Sequence, residues 1–267
     1  MKNKVVIITG SSMGIGKNIA LQLGEKGAKV VLNGRNKERL EKTYQELLAK
    51  GHEVIAIAGD VANYEDCTAL IEGTIAHYGQ LDALVNNAGI AAEGTIESTE
   101  PQIFKKVMEV NYLGSIFPTK LALPYIKQSK GSVLFISSLA GIHGLPAFSL
   151  YSASKMSLTA VAESLKKEMA GTGVHIGIAY VGFTQNDPNK TIYQEDGKLA
   201  VLPKRSNVKV APVDQIAARL IGIIERRRFK TVFSSIGKLL FYLNRLAPGV
   251  VGFILSRSYQ KKQANGE

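Results

Sequence analysis

Tyr151 and Lys155, in the run Tyr151-Ser152-Ala153-Ser154-Lys155, stand four residues apart at the start of a helical pattern and so share one helix face. A phenol with an ordinary pKa of about 10 exchanges protons poorly at neutral pH, and an adjacent ammonium stabilises the phenolate and brings that value down. In this pairing Tyr151 is the acid/base and Lys155 its tuner. Taken alone, the spacing also fits an incidental surface pair. Ser138, in Ser137-Ser138-Leu139-Ala140-Gly141, lies thirteen residues before Tyr151, where a strand-like run ends.

A second constellation sits near the N-terminus, in Thr9-Gly10-Ser11-Ser12-Met13-Gly14-Ile15-Gly16. Its place between a strand pattern and a helix pattern is what a dinucleotide site requires. The glycines permit the tight turn and the approach of a pyrophosphate, whose charge meets the amides of the helix N-terminus. Gly10, Ser12, Gly14, Ile15 and Gly16 are the expected contacts. The carboxylate that would accept from an NAD ribose at the end of the second strand is missing. The chain reads Asn33-Gly34-Arg35-Asn36 instead, and a guanidinium there suits a 2′-phosphate. NADP(H) is therefore the expected cofactor, with Arg35 as its recognition residue; the plainer alternative is a solvated arginine opening the next helix. Further along, Gly59-Asp60-Val61 places a carboxylate either for an adenine amino group or for capping the following helix. In Asn86-Asn87-Ala88-Gly89, small residues let backbone lie against an adenosine ribose while asparagine amides tie neighbouring strands; Asn87 and Gly89 are the expected contacts. No metal is called for.

These residues need a scaffold that brings strand ends together. Apolar, β-branched runs at 5–8, 30–32, 54–58, 81–85, 132–136, 175–181 and 230–233 alternate with helical patterns. Ile15, Ile19 and Leu23 recur along one helix face, and Leu40, Tyr44 and Leu47 along another. Strands apolar on both faces and separated by helices predict a doubly wound α/β fold, Rossmann-like, with a parallel sheet of about seven strands. Ligands in such a sheet bind beyond the carboxyl ends of its strands, where the residues above fall.

A chain of 267 residues with 45% hydrophobic and 21% charged residues can build one sizeable core and has the composition of a globular protein. The expected organisation is one domain over residues 1–234, with residues 235–267 as a basic, amphipathic helical extension of it. Cys67, the lone cysteine, cannot form an intrachain disulfide, and the N-terminal residues lack a secretory pattern, so the expected compartment is the cytoplasm. The net charge of +11 is uneven: residues 219–267 hold 10 Lys/Arg against 2 Asp/Glu. A solvated basic face is the ordinary reading of such an excess, and no nucleic-acid partner is expected.

Taken together in order and spacing, the turn from Thr9 to Gly16, Asn86-Asn87-Ala88-Gly89, Ser138, Tyr151 and Lys155 resemble a short-chain dehydrogenase/reductase of the compact, non-extended branch, over at least residues 4–233. The resemblance implies hydride transfer from a nicotinamide to a carbonyl while Tyr151 gives the carbonyl oxygen its proton. It further implies that Ser138 hydrogen-bonds that oxygen and that Lys155 binds the nicotinamide ribose. Asn111, in Val110-Asn111-Tyr112, matches the family asparagine that holds a water linking Lys155 to solvent. The chain departs from the family after the sixth strand, where Val181-Gly182-Phe183-Thr184-Gln185-Asn186 replaces the usual Pro-Gly sequence and Asn186 falls at the family threonine. Backbone around residues 182–184, Thr184 included, is still expected to meet the nicotinamide carboxamide.

Residues 139–148 and the long, irregular-looking segment 183–207 are the expected substrate walls, and the first is mostly apolar: Leu139, Ile142, Leu145, Pro146 and Phe148. His143 reads as an exposed loop histidine, with substrate orientation as the alternative. The expected activity is NADP(H)-dependent reduction of a hydrophobic ketone or aldehyde, or oxidation of the matching secondary alcohol, by a homo-oligomer, most simply a dimer. The alternatives are a 3-oxoacyl-thioester reductase and a membrane-surface cofactor-binding protein with little catalysis. Ile236, Leu239, Leu240, Leu243 and Leu246 form an apolar stripe beside basic residues. It is expected to pack on its own domain or on a twin subunit; peripheral contact with a membrane, as in lipid- and steroid-reducing family members, is the competing reading.

Overall fold

The computed structural model describes residues 1–185, 187, 190–202 and 210–264. Seven parallel strands form one sheet in the order β3-β2-β1-β4-β5-β6-β9. They are β1 (Val5–Ile8), β2 (Lys29–Gly34), β3 (Val54–Ala58), β4 (Ala83–Asn86), β5 (Ser132–Ser138), β6 (His175–Val181) and β9 (Lys230–Val232). The four residues of β1 show why the sheet needs cover on both sides. Val6 and Ile8 enter one apolar layer, whereas Val5 and Ile7 enter the opposite one, and all four are fully buried. Helices α1 (Gly14–Glu25), α2 (Lys37–Ala49) and α7 (Val213–Glu225) cover the first face. Helices α3 (Tyr64–Tyr78), α5 (Gly114–Gln128) and α6 (Ser149–Glu168) cover the second. The strand order reverses between β1 and β4, which opens the crevice beyond their carboxyl ends.

Three departures from the sequence reading have physical causes. The fourth strand begins at Ala83, not at residue 81, because the Asp82 carboxylate accepts from Val5 N (2.9 Å) and from Lys4 Nζ (2.8 Å) just before the ladder begins. Helix α4 (Pro101–Met108) runs into α5 through one π turn (Glu109–Leu113), a single-turn widening of the kind that recurs at functional sites, and Asn111 lies in that turn. Segment 183–207 is not wholly irregular: β7 (Thr191–Tyr193) and β8 (Leu199–Val201) form an antiparallel hairpin. It is docked through Tyr193 N to Ala91 O (3.0 Å) and Glu93 N to Tyr193 O (2.9 Å), with Ile192 buried. Asn186 lies outside the described residues, as do residues 203–207 of that wall.

Two further helices, α8 (Ser235–Leu246) and α9 (Pro248–Ala264), close the described chain. The face of α8 that packs on the domain carries Gly237, Leu240, Phe241 and Asn244, with the Phe241 ring 5.8 Å from that of Tyr180. The stripe, expected to pack on its own domain or on a twin subunit, meets its own domain at one residue. Leu240 alone of the five packs against the core; Ile236, Leu239 and Leu246 are 79%, 60% and 82% exposed. Among the described residues, no helix is long and apolar enough to cross a membrane.

Candidate active site

The crevice begins where β1 ends. Thr9 is buried, and its hydroxyl oxygen accepts from Asn87 N (3.0 Å) and Ala88 N (3.1 Å), while Asn87 Nδ2 donates to Thr9 O (2.8 Å) and Gly10 O (2.9 Å). The turn after β1 is thereby fastened to the turn after β4. Two positions in it admit only glycine. Gly10 has φ +62°, and a Cβ there would lie 2.8 Å from Ala88 Cα; at Gly16 a Cβ would lie 2.5 Å from both Asn87 Nδ2 and Gly10 O. Gly14 and Ile15 open α1, whose N-cap is Met13, a residue with no capping oxygen, so the amides of the first turn are left to an anion. The strand-tying role expected of the asparagines holds for Asn87, whereas Asn86 Nδ2 donates to Thr119 Oγ1 in α5 (2.8 Å).

The same turn is joined to the end of β2. Ser11 N donates to Asn33 O (2.9 Å), Asn33 N donates to Ser11 Oγ (3.0 Å), and Ser12 O accepts from Thr43 Oγ1 (3.1 Å). Arg35 leaves β2 at this point, about half exposed, with Nη1 3.8 Å from Asp60 Oδ2. Arg35 does not open the helix: Asn36 caps α2 by accepting from Arg39 N (2.8 Å), and the helix starts at Lys37. Arg39, in the first turn of α2, places Nη1 3.7 Å from Met13 Sδ, so a second guanidinium borders the turn. Sequence reading missed it; a second arginine four residues after Arg35, at the start of the next helical pattern, was the available signal. Asp60 is not the cap of α3 either. Asn63 is, accepting from Asp66 N, while Asp60 Oδ1 accepts from Ala62 N (3.0 Å). Val61 is buried against Gly114, where a Cβ would lie 2.6 Å from Val61 Cγ2.

The catalytic candidates converge at the other end of the crevice. Ser138 is the last residue of β5, paired with Val181 of β6, and its hydroxyl accepts from Ala140 N (3.3 Å) at the start of a short 3₁₀ turn (Leu139–Gly141). Tyr151 and Lys155 lie on α6 as expected, with Lys155 Nζ 5.9 Å from the Tyr151 ring centre. Lys155 is 6% exposed and donates to Ile136 O (3.1 Å). Burial, reinforced by the nearby charge of Lys190, lowers its pKa to about 8. Behind it, a Cβ at Gly89 would lie 3.1 Å from Asn111 Oδ1 and 3.2 Å from Lys155 Nζ, tight enough that either side chain would have to shift. Asn111 spends its side chain on that backbone. Oδ1 accepts from Ile90 N (2.8 Å), and Nδ2 donates to Ile90 O (2.9 Å) and to Ser154 Oγ (2.9 Å).

Ser138, Tyr151, Lys155, Asn111 and Gly89 are thus gathered at one end, and Gly10, Ser12, Gly14, Ile15, Gly16, Arg35, Asp60 and Asn87 along the rest of the crevice. Thr184, just past β6, is buried and donates to Gly182 O (3.3 Å), with residues 183–185 paired to Ala211. The description of His143 as an exposed loop residue is corrected. It is half-buried, with Nδ1 2.6 Å from Asn244 Oδ1 in α8. Cys67 is buried, and burial with the neighbouring Asp66 and Asp60 charges pushes its thiol up to about 12, against a nucleophilic role.

Comparison with known proteins agrees with this arrangement. Residues 4–197 match the family model described as short chain dehydrogenase. The chain therefore belongs to the short-chain dehydrogenase/reductase family of oxidoreductases. It is 36% identical over 254 residues to the 11-beta-hydroxysteroid dehydrogenase-like 2 of Arabidopsis thaliana, covering 94% of this chain and 80% of that one. An uncharacterized oxidoreductase of Thermotoga maritima is 37% identical over 187 residues (70% of this chain, 74% of that one). The fold is similar to a short-chain dehydrogenase/reductase from Burkholderia phymatum solved with NAD (TM-score 0.81, 22% identity, 93% and 95% of the two chains). It is likewise similar to an alcohol dehydrogenase from Thermococcus sibiricus solved with 5-hydroxy-NADP (TM-score 0.76, 25% identity, 88% and 98%).

Proposed function

We propose that this enzyme uses NADP(H) to interconvert a hydrophobic ketone or aldehyde and the corresponding alcohol. The observation that carries the reading is the buried Lys155 ammonium beside the Tyr151 ring, at the strand end that bears Ser138. The crevice fits a dinucleotide on three counts: the glycine-only contacts at Gly10 and Gly16, the uncapped amides of α1, and two guanidinium groups where a 2′-phosphate would be read. Arg35 and Arg39 would hold that phosphate, Asp60, Val61 and Asn87 the adenosine side, and Gly89, Lys155 and the backbone near Thr184 the nicotinamide half. The reduced cofactor supplies a hydride to the carbonyl carbon. Tyr151 gives its phenolic proton to the carbonyl oxygen, and Ser138 donates a hydrogen bond to that oxygen. The ammonium of Lys155 stabilises the phenolate that remains, and reprotonation from solvent completes the turnover. Asn111 fixes the Ile90 backbone, next to the Gly89 position that Lys155 Nζ approaches.

The apolar residues expected to face the substrate within 139–148 and the names of the hydroxysteroid dehydrogenase relatives support a bulky, lipid- or steroid-like carbonyl. The outer side of α8 and α9 supports peripheral contact of a cytoplasmic enzyme with anionic lipid. Residues 235–264 hold five Lys/Arg and no Asp/Glu, beside exposed Ile236, Leu239, Leu246, Phe253 and Ile254. Like charge on both copies opposes self-association through that face, so a homodimer would use another. A panel of decalone, a steroid ketone, a long-chain aldehyde and a 3-oxoacyl thioester, each with NADPH and NADH, tests the reading. Turnover of an apolar ketone or aldehyde with NADPH preferred is expected, and turnover of the thioester alone, or none, overturns it. Co-sedimentation with anionic liposomes that falls with salt tests the lipid contact.

A further inference from the structure

The loop that leaves Ser138 is held from outside by the C-terminal helix. At one end, Gly237 approaches Leu139 so closely that a Cβ would lie 2.5 Å from Leu139 Cδ2. Two helical turns further on, Asn244 Nδ2 donates to Ile142 O (2.8 Å), and Asn244 Oδ1 lies 2.6 Å from His143 Nδ1. These two contacts fix each other. Because Nδ2 is committed to a carbonyl, Oδ1 must face the imidazole, which must then donate from Nδ1. The clamp spans the 3₁₀ turn that Ser138 caps, its Oγ accepting from Ala140 N. Asn244 lies well beyond residue 197, where the family match ends, and is 101 residues from His143.

We infer that Asn244 is a positioning residue for the reaction: through Ile142 and His143, helix α8 sets the turn that aims the Ser138 hydroxyl at the substrate oxygen. The inference rests on the proposed role of Ser138, and a double-mutant cycle separates the two. Turnover of whichever panel substrate the wild type reduces fastest, NADPH affinity and melting temperature would be measured for wild type, Asn244→Ala, Ser138→Ala and the double variant. The expected result is a loss of about tenfold in kcat for Asn244→Ala, within the coupling shown by contacting neighbours, with NADPH affinity unchanged. In the Ser138→Ala background the further loss should be under about twofold, since the group being aimed is gone. Equal losses in both backgrounds, or none in either, would overturn the inference. If Ser138→Ala itself leaves kcat unaltered, the role of Ser138 fails first. Should Asn244→Ala not fold, Asn244→Asp takes its place in the cycle: it has the same size, keeps an acceptor for His143 and loses the donor to Ile142 O.

Discussion

The two ends of the crevice are built on opposite principles. At the nicotinamide end, the buried side chains of Lys155 and Asn111 form a knot with backbone: Lys155 donates to Ile136 O, Asn111 pairs with Ile90 N and O, and Gly89 lies close to both side chains. At the adenosine end, Arg35 and Asp60 face one another across 3.8 Å, half in solvent, and the Arg39 guanidinium lies against the Met13 thioether. The contrast separates two tasks. Chemistry needs groups held in one geometry with their charges desolvated, whereas recognition of a phosphate tolerates long, solvated arms whose contacts are individually modest. Changes at the first end should therefore be severe, and changes at the second graded and specific to the coenzyme.

The largest effect should come from Tyr151→Phe, which removes the proton donor and leaves the knot in place. A loss of at least about 10²-fold in kcat is expected, with NADPH binding nearly unchanged by fluorescence titration; retention of a tenth of the activity would refute the assignment. Next comes Asn111→Ala. It leaves Ile90 N and O without their buried partners and should cost about 1–3 kcal/mol in denaturant unfolding, together with activity. A stability loss without a kinetic one would show that the knot serves the fold alone. Third, Lys155 is charged below its lowered pKa of about 8 and neutral above it, so NADPH affinity should fall as pH rises through about 8. The same titration with Lys155→Ala should show no such step, and an identical step in the variant would assign it to another group. Smallest is Arg35→Ala: a half-exposed arm already facing Asp60 should contribute near the low end for a charge-assisted bond, about tenfold in NADPH affinity with NADH unaffected. Equal weakening of both coenzymes would break the contrast by making Arg35 structural.

The readable parts of the chain were those in which local pattern and tertiary role coincide. Residues 5–8, 54–58 and 175–181 are apolar and β-branched at the centre or flank of a buried sheet, and they form strands at those bounds. The Tyr151/Lys155 spacing and the turn from Thr9 to Gly16 are equally local, since each lies on one element or one junction. The hairpin of β7 and β8 was harder: each strand has three residues, and its docking depends on Ala91 and Glu93, a hundred residues earlier. Thr191-Ile192-Tyr193 followed by Gly197 in the turn was its faint signal. Asn244 had none. Its partners lie across the fold, and a polar residue on the packed face of an apolar helix acquires meaning only when the loop it holds is seen. The side of the C-terminal helix that meets the domain was illegible for a related reason: periodicity finds a helix with two apolar sides but does not say which side the protein keeps.

The central claim is that hydride passes between NADPH and a carbonyl at the strand end where Ser138, Tyr151 and Lys155 meet. It is tested most directly by following the atom itself. With NADPH carrying deuterium on the transferable face of the nicotinamide, and the ketone of the panel that reacts fastest, mass spectrometry of the alcohol should find one deuterium on the carbinol carbon. Both faces should be tried. Unlabelled alcohol from both, or ketone consumption with no oxidation of NADPH, would contradict the account.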